Sequence, residues 1–378
     1  MKCIVNGTII LEDKILSDYG IIFDDRIQKI LPLSEINLEA YEVIDAQGKL
    51  VAPGLVDIHI HGYLGEDASD GIEEGLKKMS AGIAKNGVTS WCPTTMTIAQ
   101  EDLDKAFNVA RKVKAETTCY GAKILGIHSE GPFINPSKKG AQPEEHILPP
   151  DSKFILDNAD ILKLVTMAPE MDGALASIRE IYEDGRVLVS MGHTGASFDE
   201  ANAGIEAGVR HATHLFNAMT PLQHRNPGVV GAALSDEKVS CELIADTFHV
   251  SAGLYKLVAK AKGEKFCLIT DCMRAGGMED GEYTLGGQRV FKTGIQCLLE
   301  DGTIAGSVLK LNEAVRNLKQ HTELTLPEVF ACASLNPAKA IKEDENIGSL
   351  EVGKCADIII CDEEMNVEMT IIDGEIYK

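Results

Sequence analysis

RVLVSMGHTGASFDEANAGIEAGVRHATHLFNAMTPLQHRNPGVVG, residues 186–231, is the stretch from which the rest of the chain can be read. It divides into two short apolar runs, each followed by a histidine, with an amphipathic segment between them. The first run, Arg186 to Met191, predicts a strand that breaks at Gly192-His193. Phe198, Ala201, Ile205 and Ala207 then recur near helical spacing as far as Gly208, a residue that stops helices. The second strand is expected around His211 to Leu215 and delivers His214. Strand ends on one rim of a parallel β/α sheet are neighbours, so His193 and His214 can reach one point although 214 − 193 = 21 residues separate them. Neutral imidazoles converging from adjacent strand ends suit a zinc or iron ion.

Working outward, the middle of the chain repeats this strand–helix step about eight times. The expected strands are Leu55–Ile60, Val88–Cys92, Lys123–Ile127, Lys163–Met167, Arg186–Met191, His211–Leu215, Ser240–Ala245 and Phe266–Thr270. Helical patterns such as Ile72–Lys85, Leu103–Lys114 and Ala174–Glu183 lie between most of them. This alternation predicts a closed (β/α)8 barrel over residues 51–349. An open doubly wound sheet is the alternative, but no G-x-G-x-x-G follows an early strand. Residues 1–50 instead alternate short apolar runs with turns such as Asn6-Gly7 and Asp24-Asp25, and residues 350–378 look alike. Both ends are expected to build one small β-sandwich.

Composition narrows the function classes. With 378 residues and 44% apolar content the chain can bury one large core. The formal charge of −22 argues against a nucleic-acid partner, whose recognition needs clustered Lys and Arg. No stretch reaches transmembrane length and MKCIVNGTII has no long apolar h-region, so no membrane partner is expected. The ten cysteines are dispersed and form no C-x-x-C pair, which suggests buried, reduced thiols and a cytoplasmic location.

Polar residues gather at the C-terminal ends of the expected strands, where barrel enzymes keep their chemistry. The first strand ends in Asp57-Ile58-His59-Ile60-His61, and alternation turns Asp57, His59 and His61 inward. The third ends in His128-Ser129-Glu130, the fifth and sixth give His193 and His214, and the eighth ends in Asp271. Four histidines and two carboxylates on five strand ends resemble a one- or two-metal hydrolase. His128 shares the parity of Glu130 and is read as a packing or supporting residue. His146, His211 and His321 read as ordinary helix or surface residues.

The motifs APGLVDIHIHG (52–62), GIHSEGPFI (126–134), MAPE (167–170), GHTGAS (192–197), THLFNAM (213–219), HRNPGVVGA (224–232), ITD (269–271), AGS (305–307) and NPA (336–338) follow one another along nearly the whole chain. In this order they resemble the metal-dependent amidohydrolase superfamily and, within it, the N-acetylglucosamine-6-phosphate deacetylases. The resemblance implies that Glu130, His193 and His214 hold a main divalent metal, zinc or iron first, manganese or cobalt otherwise. It implies a possible second metal on His59 and His61, bridged by Glu130, with Asp271 as the catalytic base. Substrate contacts implied are Ala141, Gln142, Asn217, Ala218, Arg225, Asp246, His249, Ile304, Ala305 and Gly306. Arg225 and its neighbours would serve the phosphate, across the interface of a homodimer or dimer-based tetramer. Two positions depart from the family pattern: Gln142 stands where many members have a histidine, and Gly195 replaces a usual polar residue.

The expected reaction is hydrolysis of the acetamido group of N-acetylglucosamine 6-phosphate to acetate and glucosamine 6-phosphate. A metal-activated water would lose its proton to Asp271, which returns it to the departing amine, while metal and Gln142 stabilise the oxyanion. The nearest alternatives are the galactosamine epimer and another amidohydrolase activity such as cyclic-amide opening. A non-catalytic scaffold of the same fold is a further one, at odds with the full set of ligands.

Overall fold

The computed structural model describes residues 1–116 and 119–377. Eight parallel strands form the barrel: β1 Leu55–Ile60, β2 Val88–Thr95, β3 Ile127–Glu130, β4 Leu162–Met167, β5 Leu188–Met191, β6 His211–Ala212, β7 Ser240–Ile244 and β8 Phe266–Ile269. A helix follows each: α1 Glu73–Ala84, α2 Gln100–Ala115, α3 Ser152–Asp157, α4 Ala174–Asp184, α5 Phe198–Ala207, α6 Gly228–Ser235, α7 Tyr255–Lys262 and α8 Leu311–His321. Strands β1 to β8 pair in chain order. The ring closes where the Asp271 N–H donates to the His59 carbonyl at 2.8 Å and the His61 N–H to the Cys272 carbonyl at 2.9 Å. Thr270 Oγ1 donates to the buried Asp57 at 2.7 Å across the same seam.

Local chemistry explains the steps around the deciding stretch. Ser197 accepts from the Glu200 N–H and Glu200 accepts from the Ser197 N–H, a reciprocal cap that starts α5 and is worth about 1 kcal/mol. Gly208, at φ 138°, ends it. In the β5–β6 register Met191 faces Ala212, so His193 and His214 each lie two residues beyond a paired position. Both then turn into the left-handed region, at φ 46° and 29°.

Two expected boundaries shift, and one sheet is new. The third strand divides at Gly126: Lys123–Ile124 pairs with Ser90 and Trp91, and only Ile127–Glu130 enters the barrel. A Cβ on Gly126 would lie 2.6 Å from the Ile161 carbonyl. The sixth strand is shorter than expected because the chain turns before His214. An antiparallel sheet of Gly281–Leu285, Gln288–Thr293 and Gln296–Leu298, unanticipated from sequence, stands between β8 and α8.

The termini build two sheets. One is purely N-terminal, in the order 27–32, 19–23, 2–5, 42–45. The other joins both ends, in the order 375–377, 367–372, 358–361, 50–53, 8–10, 15–16, so it takes in residues up to Pro53. Ile4, Ile21 and Phe23 of the first share a core with Ile9, Val51, Ile358 and Ile371 of the second. Among the described residues no helix is long and apolar enough to cross a membrane.

Candidate active site

The rim of the barrel carries one buried cage of nitrogen and oxygen donors. Glu130, at the end of β3, is its centre. Its Oε1 lies 3.0 Å from His214 Nε2, 3.2 Å from His193 Nε2 and 3.4 Å from His59 Nε2. Its Oε2 lies 3.2 Å from His61 Nε2. Asp271 Oδ1 is 3.2 Å from His61 Nε2 and 3.6 Å from His59 Nε2. Among the described residues three groups of possible ligands result, Glu130–His193–His214 and His59–His61–Asp271 in the cage, and His59–His128–Glu242 beside it, with the donor atoms of each within 4.8 Å of one another.

The far sides of the rings fix which nitrogen faces inward. His193 Nδ1 donates to the Lys138 carbonyl at 2.9 Å, His61 Nδ1 to the Thr94 carbonyl at 3.1 Å, and His59 Nδ1 to Glu242 at 2.9 Å. When neutral, each ring therefore points a bare Nε2 lone pair into the cage. His193 Nε2 and His214 Nε2 stand only 3.1 Å apart, and the carboxylates lie equally close. Such an array of lone pairs is stable only around a cation or with protons between them, and a nitrogen–oxygen set of this kind fits a zinc, iron, manganese or cobalt ion. His128 is closed on itself: Nδ1 donates to the Ile58 carbonyl and Nε2 accepts from Thr166.

The electrostatics of the cage reflect the same crowding. Burial opposes charge on His59, but Glu242, Glu130 and Asp271 outweigh it and hold its proton well above the ordinary imidazole range. The same contest, decided by Asp271 and Glu130, brings His61 to about 10, and Glu130 raises His193 against burial. Burial pushes Glu130 and Asp271 upward, yet the histidines facing them, His193 and His59 for the first and His59 and His61 for the second, keep both carboxylates ionised.

A cavity of about 350 Å³ opens over the cage, within the size range of small-molecule sites. Ala141, Gln142, Asn217, Ala218, His249, Ile304 and Gly306 line it beside Glu130, His61, His193, His214 and Asp271. Leu285, from the unanticipated antiparallel sheet, forms part of the wall. Gln142 accepts from the Thr97 N–H at 2.7 Å and donates to Glu130 Oε2 at 2.5 Å. Asp246 stands behind His249, accepting from its Nδ1 at 2.6 Å, and Ala305 is fully buried behind the cavity wall. Arg225 is not brought to the cavity: it is exposed on the loop before α6, against His224. At Gly195 the N–H donates to Glu170, which also accepts from Asn135 and Thr194 and so ties three rim loops together.

One expectation is corrected. His211 is no surface residue: it is fully buried on β6, with Nε2 3.1 Å from Glu242. Glu242 itself is missed by sequence reading, because a carboxylate inside the strand SCELI, away from a strand end, carries no motif.

A profile of the amidohydrolase family matches residues 50–377. The chain belongs to the amidohydrolase family. The amidohydrolase is 42% identical over 334 residues to an N-acetylglucosamine-6-phosphate deacetylase of Bacillus subtilis, covering 86% of this chain and 84% of that one. It is 36% identical over 339 residues to an N-acetylgalactosamine-6-phosphate deacetylase of Escherichia coli O157:H7, at 88% and 89% coverage. In three dimensions it matches a mutant N-acetyl-D-glucosamine-6-phosphate deacetylase from Mycobacterium smegmatis in complex with N-acetyl-D-glucosamine-6-phosphate. That match has a TM-score of 0.92 and 30% identity, covering 100% of this chain and 99% of the other.

Proposed function

We propose that this amidohydrolase hydrolyses the acetamido group of N-acetyl-D-glucosamine 6-phosphate, releasing acetate and glucosamine 6-phosphate. The observation that carries the reading is the closed cage of Glu130, His193, His214, His59 and His61 at the floor of a sugar-sized cavity, with Asp271 inside it. Its relatives' names supply the substrate class.

Glu130, His193 and His214 would hold one divalent metal, and His59 and His61 a second with Glu130 between them. A metal bound there supplies an acidified water and polarises the amide carbonyl. Asp271, kept ionised by its histidine neighbours, is placed to take a proton from the attacking water and to return it to the amine as the C–N bond breaks. Gln142 uses its carbonyl on Thr97 and one N–H on Glu130, which leaves its second N–H for the substrate carbonyl. Asp246 fixes the ring of His249, which, with Asn217 and the Ala218 backbone, holds the sugar phosphate. Arg225, exposed and outside its own cavity, serves the phosphate site of a second subunit in a homodimer or dimer-based tetramer. All ten cysteines are free thiols, most of them buried, which supports a cytoplasmic location.

Acetate release from three compounds tests the reading: N-acetylglucosamine 6-phosphate, its galacto epimer and unphosphorylated N-acetylglucosamine. The first is expected to have the highest kcat/KM. A higher value for the epimer would make the chain a galactosamine enzyme, like its Escherichia coli relative. Equal values with and without phosphate would remove the phosphate site, and no acetate with zinc, iron, manganese or cobalt supplied would refute the activity.

A further inference from the structure

Glu242 takes no part in the chemistry above, yet three N–H groups converge on it. Its Oε2 lies 2.9 Å from His59 Nδ1 and 3.0 Å from the backbone nitrogen of His214. Its Oε1 lies 3.1 Å from His211 Nε2. The residue is fully buried, and its neighbours on β7, Cys241, Leu243 and Ile244, are apolar. Packing alone asks for no charge in this place, and an ionised carboxylate withdrawn from water persists only where donors replace its hydration.

The two bonds on Oε2 reach different halves of the cage. His59 belongs to the group with His61 and Asp271, whereas His214 belongs to the group with Glu130 and His193. The His214 N–H sits in a left-handed turn, φ 29°, that a non-glycine residue holds only when its surroundings fix it. His211 supplies the third donor; its Nδ1 has no partner among the described residues, so the Nε2 bond to Glu242 is its one polar attachment.

We infer that Glu242 is a positioning residue that couples the two halves of the metal cage. One oxygen sets the ring of His59, with Nε2 bare and facing inward, and pins the backbone turn that presents His214; His211 clamps the other oxygen so that the carboxylate cannot rotate. The inference rests on the reading of the cage as a metal site, and it concerns metal affinity rather than proton transfer.

The test titrates metal-free protein with Zn²⁺ against a competing chelator, and with Co²⁺ to record the d–d absorption bands. Glu242→Gln replaces one acceptor oxygen by a donor, so it should weaken Zn²⁺ binding by roughly 10- to 100-fold at both positions and shift the Co²⁺ bands. Ile181→Ala, a core truncation in α4, should lower the melting temperature and move neither. His211→Phe should weaken binding by a smaller factor, and His211→Gln, whose amide N–H can replace the lost donor, should restore it. A wild-type protein that binds no Zn²⁺ overturns the metal reading itself. Wild-type binding with unchanged affinity and bands in Glu242→Gln overturns the positioning role, and a loss confined to one position overturns the coupling. Should Glu242→Gln fail to fold, unchanged affinity in both His211 variants rejects the proposal.

Discussion

Loading the cage with metal should expel protons, and the structure sets how many. In the metal-free protein the His59 and His193 imidazoles are held above their ordinary value and His61 is raised to about 10. At pH 7 the His59 and His61 rings carry protons, yet ligation needs bare Nε2 atoms. Filling the His59–His61 position therefore displaces about two protons. Each displaced proton adds a power of ten in affinity per pH unit, so between about pH 6 and 7 this position gains about a hundredfold. Titration calorimetry with Zn²⁺, run in two buffers of different ionisation enthalpy, counts the protons directly. The same shifts give a sign for stability without metal. Raised imidazoles stabilise fully below their unfolded value of 6.5, and that contribution is lost as pH climbs through the folded values, to about 10 for His61. Metal-free protein should accordingly melt at progressively lower temperature from about pH 6.5 upward. Release of less than about one proton in total at pH 7 would refute the lone-pair crowding on which the metal site is argued.

Asp271→Asn should keep metal by elemental analysis and lower kcat by about 10²–10⁴-fold; more than about a tenth of wild-type kcat would end its role as base. Arg225→Ala should lower kcat/KM by about 10- to 200-fold, the worth of a charge-assisted phosphate contact. Mixing it with Asp271→Asn should restore activity after subunit exchange, since one site of each hybrid dimer then holds both intact groups; verified hybrids without a gain would place Arg225 in its own subunit. Gly374→Ala should cost more than about 2 kcal/mol in urea denaturation, because φ is 78° and the new Cβ would fall 1.6 Å from the Asp24 carbonyl oxygen. A change under about 0.5 kcal/mol would mean that the C-terminal turn does not approach Asp24 as described.

What could be read from the sequence was whatever local periodicity dictates. His59, His61, Glu130, His193, His214 and Asp271 follow apolar runs whose alternation fixes their direction, and all six meet in the structure. Glu242 and His211 could not be read this way, because their meaning lies in a contact between neighbouring strands 242 − 211 = 31 residues apart. The antiparallel sheet at 281–298 escaped because its Gly286-Gly287 turn sits among mixed polar residues with little buried face. Arg225 was legible as a motif residue but not as a position: a single chain leaves it exposed and outside the lining of its own cavity.

The sheet that joins both ends also has a history in time. Strand Leu50–Pro53 lies between Thr8–Ile10 and Ile358–Cys361, with Val51 facing Ile9 on one side and Ile360 on the other. A ribosome finishes the first partner early, but the second follows 360 − 51 = 309 residues later. At about 5–20 residues per second the nascent chain carries an open strand edge for roughly 15–60 s. During that interval the edge is a template for pairing with other chains. Substitutions in Ile358–Cys361 should therefore reduce the yield of soluble protein made in a cell before they alter the turnover of the molecules that do mature.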